Sequence, residues 1–149
     1  MQKKRPTKRG SKKKKPVADW SWVAPVLLAV VAITALRIAA QFFNRADLFV
    51  DETQYWQWGQ ELDWGYYSKP PLIGWVLRAV DELVTTSSPF WVRVPGSVLH
   101  GVTALILIAA ARQFTDMRAA VMCGVFYVSL PCVAVGSFLI STDTVLLPF

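Results

Sequence analysis

The residues best suited to chemistry gather in one short stretch. Asp51 and Glu52 are adjacent, Tyr55, Trp56 and Trp58 follow, and Gly65-Tyr66-Tyr67-Ser68-Lys69-Pro70-Pro71-Leu72 comes next. A carboxylate beside an incoming hydroxyl can take its proton as a general base. Lys69 precedes two prolines, so its backbone is biased to extended geometry and the corner after it is stiff. An ammonium on such a corner at a membrane surface suits a lipid phosphate, with headgroup contact without catalysis as the alternative. Tyr66 and Tyr67 suit either stacking on a sugar or anchoring at the interface. Asp143, after Ser141-Thr142, adds a third carboxylate.

Each acid also has a purely structural reading. Asp51 with Gln54 forms a capping-box pattern that opens a short helix through about Glu61. On that helix Asp51, Tyr55 and Trp58 share one face. Glu52 then serves as a solvated first-turn acid favoured by the helix dipole, and Asp143 as an N-cap. Capping and chemistry both stay open for Asp51, since one side chain can do both.

These residues lie between apolar runs that must position them. Hydrophobic residues make up 54% of the 149. Runs this long and unbroken exclude a single soluble core. Of the sixteen basic residues, nine fall between Lys3 and Lys15. The seven others face all ten acids, so a formal net charge of +6 becomes −3 beyond that tail. The chain is therefore a near-neutral apolar body with a basic tail over 1–19. The tail reads as a disordered cytoplasmic segment touching anionic membrane lipids. A nucleic-acid arm and a targeting region are its alternatives, and no specific nucleic-acid partner is expected.

The sequence predicts an all-α polytopic membrane protein, with about four spans and short interfacial helices in a first outer loop. The first span, 23–43, holds about 21 residues, or roughly 31 Å as a helix. Trp20 and Trp22 sit at its start as interfacial anchors. A cleaved signal peptide is the alternative. Arg37, in its outer half, is expected to snorkel to the surface. Further spans are predicted at 94–111, with Pro95 in its first turn, at 119–135, and from 138 to 149. The last has no cap or polar turn, so the chain reads as the N-terminal part, 20–149, of a longer membrane domain. Positive-inside logic puts the N-terminus in the cytoplasm and the 44–93 loop outside. Within that loop, Gly74 to Val84 reads as an amphipathic interfacial helix. That topology brings Asp51, Lys69 and Asp143 to one membrane face, and two carboxylates with a lysine on one face suggest catalysis.

Cys123 and Cys132 are nine residues apart on one expected helix, too distant to bridge. No Cys or His cluster has metal-ligand spacing. His100, alone in a span, reads as an interhelical hydrogen-bond partner.

The chain resembles the glycosyltransferase C superfamily, closest to the protein O-mannosyltransferase type and the bacterial aminoarabinose-transferase-like enzymes. The resemblance runs from the basic tail through Asp51-Glu52, Tyr55-Trp56, the Gly65 to Leu72 motif and Ser141-Thr142-Asp143. It implies a multi-pass enzyme of the cell (inner) membrane, taking part in glycosylation, including protein glycosylation. Its donor would be a polyprenyl-phosphate sugar and its acceptor a lipid, glycan or protein. By that resemblance Asp51 is the general base, Lys69 holds the carrier phosphate, and Asp143 helps shape the catalytic site. Glu52, Tyr55, Tyr66 and Tyr67 complete the substrate-binding set. Some relatives carry Glu immediately before Lys-Pro-Pro and use it toward a metal. This chain has Ser68 there, so no cofactor is implied and a divalent metal is disfavoured. The competing class is a non-enzymatic transporter or assembly-factor fragment. Charges within the spans would favour a transporter, whereas here they cluster in the loop. An inactive, truncated piece of the enzyme is a third reading.

Overall fold

A computed structural model describes residues 21, 23–85 and 88–149. The basic tail, Trp20 and Trp22 lie outside the described residues. Those residues form α-helices and no strand: α1 (Val23–Phe42), α2 (Val50–Gln60), α3 (Leu72–Val84), α4 (Pro89–Ala111), α5 (Met117–Ser129), α6 (Pro131–Gly136) and α7 (Thr142–Leu146).

α1 and α4 are long and apolar enough to cross a membrane. Only 17% of the apolar window of α1 is buried within the chain. Leu28, Val31 and Leu36 point outward. A soluble core helix would bury those side chains, whereas a helix in lipid exposes them.

The two helices are antiparallel. Gln41 near the end of α1 bonds Ser97 near the start of α4 at 2.8 Å, while Val23 and Val26 line a cleft with Ile108 and Arg112 at the opposite end. α5 returns along α4 after a turn in which the Asp116 side chain caps it, accepting from the Ala119 N–H at 3.1 Å. Val30, Ala104 and Val128 form the centre of this three-helix bundle. Gly124 packs against Ile108 so closely that a Cβ there would collide with it. Small residues let membrane helices approach in this way.

Polar side chains lock the bundle from inside. Gln41 also donates to the Ser137 carbonyl at 2.6 Å, and Ser97 to the same carbonyl at 3.0 Å. His100 Nδ1 meets the Tyr127 hydroxyl at 2.8 Å across α4 and α5, the interhelical role expected of it. Arg37 does not snorkel. It is buried and donates to the Val128 carbonyl, one of the last carbonyls of α5, where helical partners run out. α1 is thus built into the bundle by side chains a merely targeting segment would not need.

Three expected spans have other limits. α4 begins at Pro89, five residues before the expected start, with Pro95 inside the helix. The 119–135 span breaks at Leu130, which is extended (φ −61°, ψ 132°) because Pro131 follows. Cys123 and Cys132 therefore sit on different helices, α5 and α6, and both are free and exposed. The 138–149 segment is not a continuous helix. Its Ile140 and Val145 are buried with Tyr55, Ile73, Leu77 and Val92 in a second core beside the first turn of α4. Gly96 of α4 makes this possible, since a Cβ there would strike the Leu139 carbonyl. The amphipathic helix expected at 74–84 is α3, which turns Ile73 and Leu77 into this core and leaves an exposed Arg78–Glu82 pair at 2.7 Å.

Candidate functional site

The second core supports a cap made of α2, α3, α7 and the loops between them. Its fixed point is an ion pair that local sequence does not reveal. Glu52 and Arg93 are each 2% exposed. Arg93 Nη2 lies 2.7 Å from Glu52 Oε2, and Nε lies 3.0 Å from Oε1. The guanidinium also donates to the carbonyls of Ala46 at 2.9 Å and Asp47 at 2.8 Å. Glu52 in turn accepts from the Phe49 N–H at 3.0 Å and the Ile140 N–H at 3.2 Å. One carboxylate therefore joins the start of α2, the body of α4 and the segment leading into α7. A buried pair with every oxygen bonded is the geometry that offsets desolvation.

This arrangement revises the roles expected of the acids. Glu52 is not a solvated first-turn acid. It is the third residue of α2 and folds back onto the N–H of Phe49, the residue at the N-cap position. Asp51 is therefore not the cap. It is the second residue of the helix, exposed, with no hydrogen-bond or ion-pair partner among the described residues. Asp143 is likewise the second residue of α7 and exposed, because Ser141 does the capping and accepts from the Thr144 N–H at 3.2 Å. At both places the capping duty falls to a neighbour and the aspartate is left open.

Lys69 is exposed as well. Its backbone exchanges hydrogen bonds with Tyr66, at 3.3 and 3.4 Å, closing a tight turn over Tyr67 and Ser68. The corner beyond it packs on α7, since Pro70, Leu72 and Ile73 line a small cleft with Thr142, Val145 and Leu146. The segments carrying Asp51, Lys69 and Asp143 are thus in mutual contact at one end of the bundle.

The aromatics divide. Tyr55 is a core residue, 5% exposed, and packs against Trp58 at 5.4 Å between ring centroids. Tyr66 stacks on Trp58 at 4.6 Å with planes 5° apart, and its hydroxyl donates to the Trp58 carbonyl at 2.6 Å. Both hold the cap together. Tyr67 projects fully into solvent and is free to meet a ligand. Among the described residues no group of three or more His, Cys, Asp or Glu side chains could hold a metal ion.

Arg93 is the residue that sequence reasoning missed. Its signal was an arginine flanked on both sides by apolar residues, Trp91-Val92 and Val94. Such a charge needs a buried anion.

Comparison with known proteins shows the family. Residues 68–149, over half of the chain, match the family described as dolichyl-phosphate-mannose-protein mannosyltransferase. The match opens at Ser68-Lys69-Pro70-Pro71 and runs through Asp143. The chain is also 44% identical over 123 residues to the lipid A galacturonosyltransferase RgtD of Rhizobium johnstonii, across 83% of its own length. It spans 26% of that relative's length. No solved structure matches it.

Proposed function

We propose a function from one premise: the chain belongs to the dolichyl-phosphate-mannose-protein mannosyltransferase family. It is part of a membrane glycosyltransferase that moves a sugar from a polyprenyl-phosphate carrier to an acceptor at the outer face of the cell membrane, its N-terminus cytoplasmic. The identity to a lipid A galacturonosyltransferase favours galacturonic acid as the sugar and the saccharide headgroup of lipid A as the acceptor.

Asp51 takes the proton from an acceptor hydroxyl. The oxygen so freed attacks the anomeric carbon, and the bond from that carbon to the phosphate oxygen breaks. The electron pair leaves with the polyprenyl phosphate, whose added charge Lys69 stabilises. Asp143 helps shape the site, and Tyr67 meets the substrate. Glu52 acts through Asp51 as a positioning residue. The reading is supported above all by the Glu52–Arg93–Ile140 contact, which ties α2 to α7 while both aspartates stay open.

The test is the rate of transfer against donor concentration in the full-length protein. Lys69→Ala raises the half-saturating donor concentration about tenfold or more, the scale of losing a charge-assisted bond. Arg78→Ala, on the neighbouring α3, leaves it unchanged. Lys69→Arg restores part, because a planar fork does not replace a compact ammonium. Equal, small effects of Lys69→Ala and Arg78→Ala would remove the lysine from the reaction.

A further inference from the structure

Along α2 runs a cleft that the reaction above does not use. It has a volume of about 540 Å³ and is lined by Gln54, Gln57, Trp58, Glu61, Asp63 and Tyr66. That volume falls within the range of small-molecule sites, roughly 300–1,000 Å³. We propose that this cleft is a saccharide subsite that holds the acceptor's sugar headgroup. The inference rests on the glycosyltransferase reading and names where its acceptor sits.

The lining chemistry fits a sugar. Carboxamides donate and accept, and carboxylates accept from neighbouring hydroxyls. The side chains of Gln54, Gln57 and Glu61 are exposed and make no hydrogen bond among the described residues. Gln60, by contrast, is outside the lining and lies 3.4 Å from Asp81 of α3. The aromatic wall is set before any ligand arrives. Trp58 and Tyr66 are stacked, Tyr66 is tied to the Trp58 carbonyl, and the Asp63 N–H donates to the Tyr66 hydroxyl at 3.3 Å. A preformed wall lowers the ordering cost of binding.

Charge selects between the two substrates. The lining holds two carboxylates and no cation. A carrier phosphate or a uronic acid would be repelled there, and a neutral or amino-bearing sugar would not. The donor, with its phosphate and its uronic acid, is therefore the poor fit, and the acceptor fits through a hydroxyl-bearing sugar ring whose phosphates stay outside the cleft. Register supplies the connection to chemistry. Gln54 and Trp58 lie three and seven positions after Asp51 on α2, one stripe of a helix roughly 10 Å long, and Glu61 follows just past its last turn. A headgroup seated on this stripe presents hydroxyls toward the proposed base.

The experiment measures initial rates in the full-length membrane-embedded protein, with purified lipid A as acceptor probe and polyprenyl-phosphate galacturonic acid as donor. Each substrate is titrated in turn. Gln57→Trp fills the cleft, and Glu61→Gln keeps its size while removing a charge. Both raise the half-saturating lipid A concentration, by about tenfold for Gln57→Trp and about threefold for Glu61→Gln, and leave that of the donor within twofold. Gln60→Ala, outside the lining, moves neither. Unchanged lipid A saturation in Glu61→Gln, or a shift in donor saturation instead, overturns the subsite while leaving the enzyme reading intact. A wild-type protein that does not transfer to lipid A at all overturns the acceptor reading and the subsite with it.

Discussion

The bundle of α1, α4 and α5 and the cap of α2, α3 and α7 each bury one arginine, and they answer its charge differently. In the bundle Arg37 meets only the Val128 carbonyl as an acceptor among the described residues, a partner that carries part of a helix's negative end. In the cap Arg93 meets a full carboxylate, two loop carbonyls and the ring of Phe49 at 6.0 Å. Four chain segments converge there, against two at Arg37. The cap is therefore held by a single charged centre whose removal frees everything around it. Adjacent residues on one helix then take opposite parts. Glu52 is consumed by the fold, and Asp51 is left open beside it.

The sharpest way to break this comparison is to remove one partner of the cap's ion pair. Arg93→Ala leaves Glu52 buried without its cation and costs about 3–5 kcal/mol. Thermal unfolding in detergent micelles should register it as the largest loss of any single substitution here. A double change of Glu52→Leu with Arg93→Met recovers most of that loss, because two apolar side chains leave no charge stranded. If Arg93→Ala costs no more than a bundle substitution, the cap has no privileged centre.

Gln41→Leu is the matching cut in the bundle. It removes two hydrogen bonds, while Ser97 still reaches the Ser137 carbonyl at 3.0 Å. Hydrogen bonds between membrane helices are worth about 0.6 kcal/mol each on average and about 1.7 at most, so the loss of two, measured in the same micelles, should be about 1–3 kcal/mol. The smallest effect belongs to Arg78→Ala. Its pair with Glu82 is solvent-exposed, with side-chain exposures of 37% and 63%, and such pairs contribute about 0–1 kcal/mol. An Arg78→Ala loss as large as that of Gln41→Leu would mean that the cap surface is more tightly coupled than its exposure indicates.

What the sequence made legible follows the same division. α1 ends within one residue of its expected limit, and α3 begins two residues early, because each is governed by its own apolar period. α4 was started too late because Arg93 looked like the end of a loop. Its partner is 41 residues away, which no local pattern reports. The segment after Phe138 was taken for a span because Phe138, Leu139 and Ile140 are apolar. Ile140 instead fills the core beneath the cap, with its N–H bonded to Glu52. The capping-box pattern of Asp51 and Gln54 follows a correct rule from the wrong start. The helix begins two residues earlier, so Glu52 supplies the backbone contact. The choice of Asp51, Lys69 and Asp143 as chemistry-bearing residues came from their types and spacing. That their segments touch became visible only through Glu52, Arg93 and the Pro70 corner.

The most direct test of the account is Asp51→Asn in the full-length protein. Asparagine keeps the size of the side chain and cannot accept the proton. Asp51 makes no bond that the fold uses, so the unfolding temperature and the amount in the membrane should match wild type. Sugar transfer should fall about 10²–10⁴-fold. Transfer within twofold of wild type, with the fold intact, would contradict the assignment of Asp51 as the base.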